Sequence, residues 1–128
     1  MFTITNHFVD QAEFVESPNF SERPEGAEPT LLVIHNISLP PGEFGGSYIV
    51  DFFQNNLDSS KHPFFKEIVN LQVSSHLFIN RKGDLIQFVD LSKKAWHAGA
   101  SEFEGQKECN DFSIGIELEG TDTEPYSD

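Results

Sequence analysis

The stretch LLVIHNISLPPGEFGG, Leu31 to Gly46, constrains this chain more than any other. Leu31 to Ile34 has the short aliphatic composition of a buried strand, whereas Pro40, Pro41, Gly42, Gly45 and Gly46 forbid any regular continuation. His35 therefore stands at a strand exit. An imidazole there can be held by packed aliphatics on one side and reached by solvent on the other, which suits a metal ligand or a proton carrier. A histidine satisfied by backbone hydrogen bonds fits the same local sequence.

Further strands follow from pattern. VSSHLFINRKGDLIQFV reads as a hairpin: apolar segments at about 73–79 and 84–89 flank Arg81, Lys82 and Gly83, and Gly supplies the positive φ of a tight reversal. CNDFSIGIELEG alternates most cleanly. Phe112, Ile114, Ile116 and Leu118 point one way and Ser113, Gly115, Glu117 and Glu119 the other. Gly115 shares a face with Glu117 and leaves bare space beside that carboxylate, enough for a water, a metal or a substrate. An ordinary solvent-facing Glu is the alternative.

Two short helices fit between these strands. Ser47 can cap one running to about Asn56, with Tyr48, Ile49, Phe52 and Phe53 inward. Pro63 can open a second, burying Phe64, Phe65, Ile68, Val69 and Leu71. Residues 1–29 read as an arm pinned by Phe8, Phe14 and Phe20. DLSKKAWHAGASEFEGQKEC lacks periodicity and reads as a long functional loop ordered by Trp96. The sum is a single α/β domain over 1–128, a mixed central sheet with helices packed on its faces.

Charge narrows the partners. Eight basic against 21 acidic residues give a formal charge of −13, which repels nucleic acid and anionic lipid. Five of the eight cations (Arg81, Lys82, Lys93, Lys94, Lys107) fall between positions 81 and 107 and could receive an anionic ligand if they met in space. A lone Cys109 excludes an internal disulfide and a thiolate zinc site of its own. No apolar run is long enough to span a membrane, and the first residues lack a leader pattern, so a cytoplasmic monomer is the expectation.

Taken in order, LLVIHNISLPPGEFGG, HPFF, VSSHLFINRKG, AWHAG and CNDFSIGIELEGTD resemble the AmpD-type N-acetylmuramoyl-L-alanine amidases of the zinc-dependent type 2 amidase family. The resemblance runs from about Pro18 to the last residue. It implies a type 2 amidase, peptidoglycan-recognition-like fold with Zn²⁺ in a groove. It also implies hydrolysis of the amide joining (1,6-anhydro-)N-acetylmuramic acid to the L-alanine of a stem peptide during peptidoglycan recycling. By the same resemblance His35 is the first zinc ligand. Glu117 is the general base or the group orienting the attacking water, and Asn36, Trp96 and His97 line the substrate groove.

Members of that family continue for several dozen residues past the position of Asp128, and the continuation carries the other zinc ligands and a lysine for the oxyanion. TEPYSD ends with Ser127 and Asp128, good caps for a helix. The chain thus reads as the N-terminal portion of a longer enzyme. Because a catalytic zinc takes three protein ligands, these 128 residues alone are expected to bind zinc weakly and hydrolyse muropeptide negligibly. A muropeptide-binding module without catalysis is the alternative reading.

Overall fold

The computed structural model describes residues 2–126; Ser127 and Asp128, the expected helix cap, lie outside them. In chain order, β1 (Ile4–Thr5) and β2 (Phe8–Val9) form a small hairpin, and β3 (Glu13–Phe14) and β4 (Phe20–Ser21) follow. Next come β5 (Leu31–Ile37), α1 (Tyr48–Phe53), α2 (Phe65–Ile68), β6 (Leu77–Ile79) and β7 (Leu85–Gln87). The last elements are β8 (Lys94–Ala95), β9 (Glu102–Phe103), β10 (Gln106–Lys107), a 3₁₀ turn at Cys109–Phe112 and β11 (Ser113–Glu119).

The main sheet has the order β3-β7-β6-β11-β5. β5, β11 and β6 are mutually parallel, β6 and β7 form the antiparallel hairpin, and β3 adds in parallel to β7. The sheet is therefore mixed, as expected. Gly83 takes φ +85° in the hairpin turn, where Asn80 Oδ1 accepts from the N–H groups of Lys82 and Asp84.

Both helices lie on one face. Ile49, Phe52 and Phe53 of α1 and Phe65 of α2 pack with Phe78, Phe88, Val89 and Ala95 into the core. The helices are shorter than their apolar patterns suggest. Ser47 caps no backbone N–H and instead bonds Asp51, and Leu71 lies exposed beyond α2. The opposite face of the sheet is open: Leu32 and Ile34 are 56% and 60% exposed, and the hairpin β1–β2 covers one end only, where Ile4 and Val9 approach Leu77, Ile114 and Ile116. The expected mixed sheet with packed helices is thus present, with both helices on a single face and aliphatics on the open one.

Burial along β11 explains that arrangement. Ser113, Gly115, Glu117 and Glu119 are the buried set, and Ile114, Ile116 and Leu118 are only half-buried. The polar side of this strand therefore faces the helices, where each buried polar group must find a partner or a function.

The arm is held by polar bonds as much as by rings. Phe8 and Phe14 stack edge to face, but Asn19 bonds Asn55 and the Val73 carbonyl, and Arg23 donates to the carbonyls of Leu91, Asn110, Asp111 and Ser113. Arg23 thereby ties the arm to the start of β11. The five clustered cations do not converge. Lys93 pairs with Glu22, Lys94 with Asp111, and Arg81 stacks on Phe44 and Tyr126. No helix among the described residues is long and apolar enough to cross a membrane.

Candidate functional site

His35 and Glu117 are direct partners in the parallel register of β5 and β11, so their side chains leave the same face of the sheet from adjacent strands about 4.8 Å apart. Among the described residues β5 is an edge strand with β11 as its one neighbour in the sheet. His35 is thus reachable from the edge while Glu117, one strand further in, is 9% exposed. His35 lies inside β5, two residues before its end, because the strand runs on through Asn36 and Ile37 before the Pro/Gly loop breaks it.

Glu117 is unusual chemically. Its Oε2 is buried without a hydrogen-bond partner among the described residues, and burial pushes its pKa up to about 8. A buried, unpartnered carboxyl is costly unless the site uses it, because desolvation disfavours the charged form. Glu119, two residues on and also buried, shows the contrast. Its carboxylate accepts from the N–H groups of Gly45 and Arg81, fixing the Pro/Gly loop and the hairpin turn to the sheet. A recess of about 360 Å³ lined by Phe44, Ile49, Phe78, Arg81 and Glu119 opens beside the Glu119 carboxylate.

The space beside Glu117 left by Gly115 is filled. The loop after β8 lays the His97 ring over it, so close that a Cβ on residue 115 would stand 2.5 Å from the ring. His97 Nδ1 is 3.0 Å from His35 Nε2 and its Nε2 is 3.1 Å from Ser113 Oγ. The two rings meet edge to face at 71°. Asn110 Oδ1 fastens the loop by accepting from the N–H groups of His97 and Ala98. Desolvation, then the proximity of His35, drives the His97 pKa down to about 3, and desolvation lowers that of His35, so both rings are neutral at pH 7.

Of the residues singled out from sequence, His35, His97 and Glu117 are brought onto one wall. Asn36 leaves the opposite face of β5 and its amide donates to Asp122. Trp96 is half-buried beside His97, its indole N–H donating to Ser21 Oγ and its backbone paired with Ser74. His76 is completely buried and structural. Nδ1 accepts from the Gly115 N–H and Nε2–H donates to the Lys93 carbonyl, and burial lowers its pKa to about 4. Ser113 and Asn110 escaped the sequence reading. Only their hydrogen bonds across the fold mark them, and no local pattern announces those.

Whether this wall suits zinc can be judged from its donors. A neutral imidazole and a buried carboxylate oxygen in want of a partner are what a divalent cation prefers. The described residues supply part of a donor set and do not complete one: no group of three His, Cys, Asp or Glu able to hold a metal occurs among them.

A mixed sheet with an imidazole on its edge strand and a buried, unpartnered acid beside it defines an α/β scaffold with part of a metal or proton-transfer site. The comparisons agree and go further. The family model described as N-acetylmuramoyl-L-alanine amidase matches residues 25–128, and the chain belongs to that family. The 1,6-anhydro-N-acetylmuramyl-L-alanine amidase AmpD of Escherichia coli K12 is 56% identical over 117 residues, which cover 91% of this chain and 64% of that protein. The AmpD of Haemophilus influenzae is 52% identical over 114 residues, covering 89% and 62%. A crystal structure of a selenomethionine AmpD derivative superposes with a TM-score of 0.96 at 50% identity, over 98% of this chain and 70% of the other. The solution structure of Citrobacter freundii AmpD, also 50% identical, gives 0.63. This chain thus spans 64% of the length of the E. coli relative.

Proposed function

We propose that this chain forms the His35–Glu117 wall of a zinc-dependent amidase. The bond cleaved joins (1,6-anhydro-)N-acetylmuramic acid to the L-alanine of a stem peptide, in cytoplasmic peptidoglycan recycling. The relatives' named activity and the shared family support the reading. The observation that carries it is the buried Glu117 carboxyl with an unpartnered oxygen, in register with His35.

Amide hydrolysis needs a nucleophile at neutral pH and relief of charge on the carbonyl oxygen. Zinc, when bound, supplies both by acidifying water and polarising the carbonyl. His35 would hold it through a ring nitrogen, with the remaining ligands drawn from outside the described residues. Glu117 takes the proton from the attacking water at its Oε2 and returns it to the leaving amine. A neighbouring cation favours the ionised carboxyl, countering the desolvation that raises its pKa, and so prepares Glu117 as a base. The apolar ring of Phe78, in register on the other side of Glu117, keeps water from that flank.

The test compares this chain alone with the same chain joined to the remaining third of the E. coli relative. Zinc content and release of stem peptide from anhydro-muropeptide are measured on both. The joined protein is expected to hold zinc and cleave, His35→Ala to lose both, and the chain alone to do neither measurably. Zinc-loaded joined protein that binds muropeptide without cleaving it would instead support the binding-module reading.

A further inference from the structure

We propose that His97 is a positioning residue for His35: it holds the His35 ring through Nε2 and so commits Nδ1 as the nitrogen offered to a ligand. His97 can do this because its own ring is fixed on every side. The missing Cβ of Gly115 gives it a seat, Ser113 Oγ meets its Nε2 at 3.1 Å, and Asn110 Oδ1 clamps its backbone N–H at 3.2 Å. Asn110 is held in turn, its carbonyl accepting from Arg23 of the arm. The His35 ring is tied to this assembly by the 3.0 Å contact of its Nε2 with His97 Nδ1, and its Nδ1 makes no hydrogen bond to the described residues.

Proton placement follows from the geometry. A neutral imidazole carries one ring proton. When a cation takes the lone pair of His35 Nδ1, that proton is on Nε2 and points at His97 Nδ1, which must accept it. His97 then carries its own proton on Nε2, facing the hydroxyl oxygen of Ser113. Every ring nitrogen along the line is satisfied in that state. An imidazole here plays the part that a carboxylate or carbonyl plays behind other metal-bound histidines, fixing tautomer and ring orientation together.

The metal arm of the inference rests on the zinc reading above; the ring-to-ring bond does not, so the two can fail separately. In the metal-free chain, long-range ¹H–¹⁵N NMR is expected to show one exchange-protected ring proton correlated with both His35 Nε2 and His97 Nδ1. Independently moving rings would overturn the inference whatever the affinity for zinc.

Zinc affinity is then compared by chelator competition in the joined protein described above and in its His97→Ala and His97→Asn variants, with folding checked by the same NMR spectra. Removing such a supporting partner is expected to weaken zinc binding about 10- to 100-fold in His97→Ala. His97→Asn, whose amide oxygen can accept near the position of Nδ1, is expected to recover most of it. Equal affinities for parent and His97→Ala, or no rescue by Asn, would overturn the proposal. A joined protein that shows the shared proton but binds no zinc would sink the zinc reading and leave the ring assignment standing.

Discussion

The imidazole of His97 sits directly over the α-carbon of Gly115, in the space where any other residue would place its Cβ. Two sequence segments that share no pattern thus depend on one another: a loop without periodicity supplies the ring, and a strand supplies the vacancy.

Gly115→Ala tests that dependence. The added methyl would lie 2.5 Å from His97 Cδ2 and 2.6 Å from Cγ, which no rotamer change at residue 115 can relieve, so the ring or the strand must shift. Overpacking of this kind costs about 1–3 kcal/mol. Urea denaturation should show a loss in that range, and the His35 ring resonances should change with it. An unaltered His35 environment would mean that the loop yields freely.

The acid beside that ring gives stability an unusual pH dependence. The folded-state pKa of Glu117 is raised to about 8 by burial, against 4.5 for the solvated carboxyl in the unfolded chain. Between those values the unfolded state has released the proton and the folded state keeps it. Stability contributed by this group is therefore full below about pH 4.5, falls as pH rises towards 8, and levels off above. Glu117→Gln keeps the shape without the titration, and should be the more stable protein at pH 8.5 by on the order of a few kcal/mol. Denaturant midpoints measured from pH 5 to 9 decide it: parallel curves for parent and variant would exclude a strongly shifted Glu117.

Much of this arrangement was legible in the residues, and the rest was not for physical reasons. Alternation in Phe112–Glu119 placed Gly115 beside Glu117, and the apolar run ending at His35 marked a strand, because both signals have a period of two and need no tertiary information. What fills the space above Gly115 depends on where the segment from Asp90 to Cys109 folds back; the sequence reads it as a loop, and the two-residue strands β8, β9 and β10 that it holds are too short to leave a periodic trace. The open face of the sheet was equally hidden. Ile114, Ile116 and Leu118 look like core by composition, but α1 and α2 carry their phenylalanines to the polar side of β11. Asn36 illustrates the same limit: adjacent to His35 in sequence, it is on the other face in space.

His76 and His97 should titrate late on acidification. His76 and His97 are held to about 4 and about 3, both chiefly by desolvation, so each is neutral in the folded chain across the range where an unfolded histidine protonates near 6.5. The stability these rings contribute is present above pH 6.5 and is lost as pH falls towards their folded values, the reverse of the Glu117 trend. Histidine C–H resonances followed by NMR from pH 8 to 4.5 should leave both rings without a midpoint. A midpoint above pH 6 for either would show that water reaches it.

The two faces of the sheet should respond differently to truncation of equally apolar side chains. Phe88 is completely buried among Phe53, Phe78 and the rest of the helix-side cluster, with its ring 5.1 Å from that of Phe53. Phe88→Ala removes a buried ring that its neighbours cannot replace, and such changes cost about 3–5 kcal/mol. Ile34 lies on the open face, 60% exposed, so Ile34→Ser gives up little area already removed from water and should stay within about 0.5 kcal/mol of the parent. Chemical denaturation of the two variants separates these magnitudes easily. A large loss from Ile34→Ser would require that the open face is covered in solution, and would move part of the chain's core to the side of β11 that carries Ile114 and Ile116.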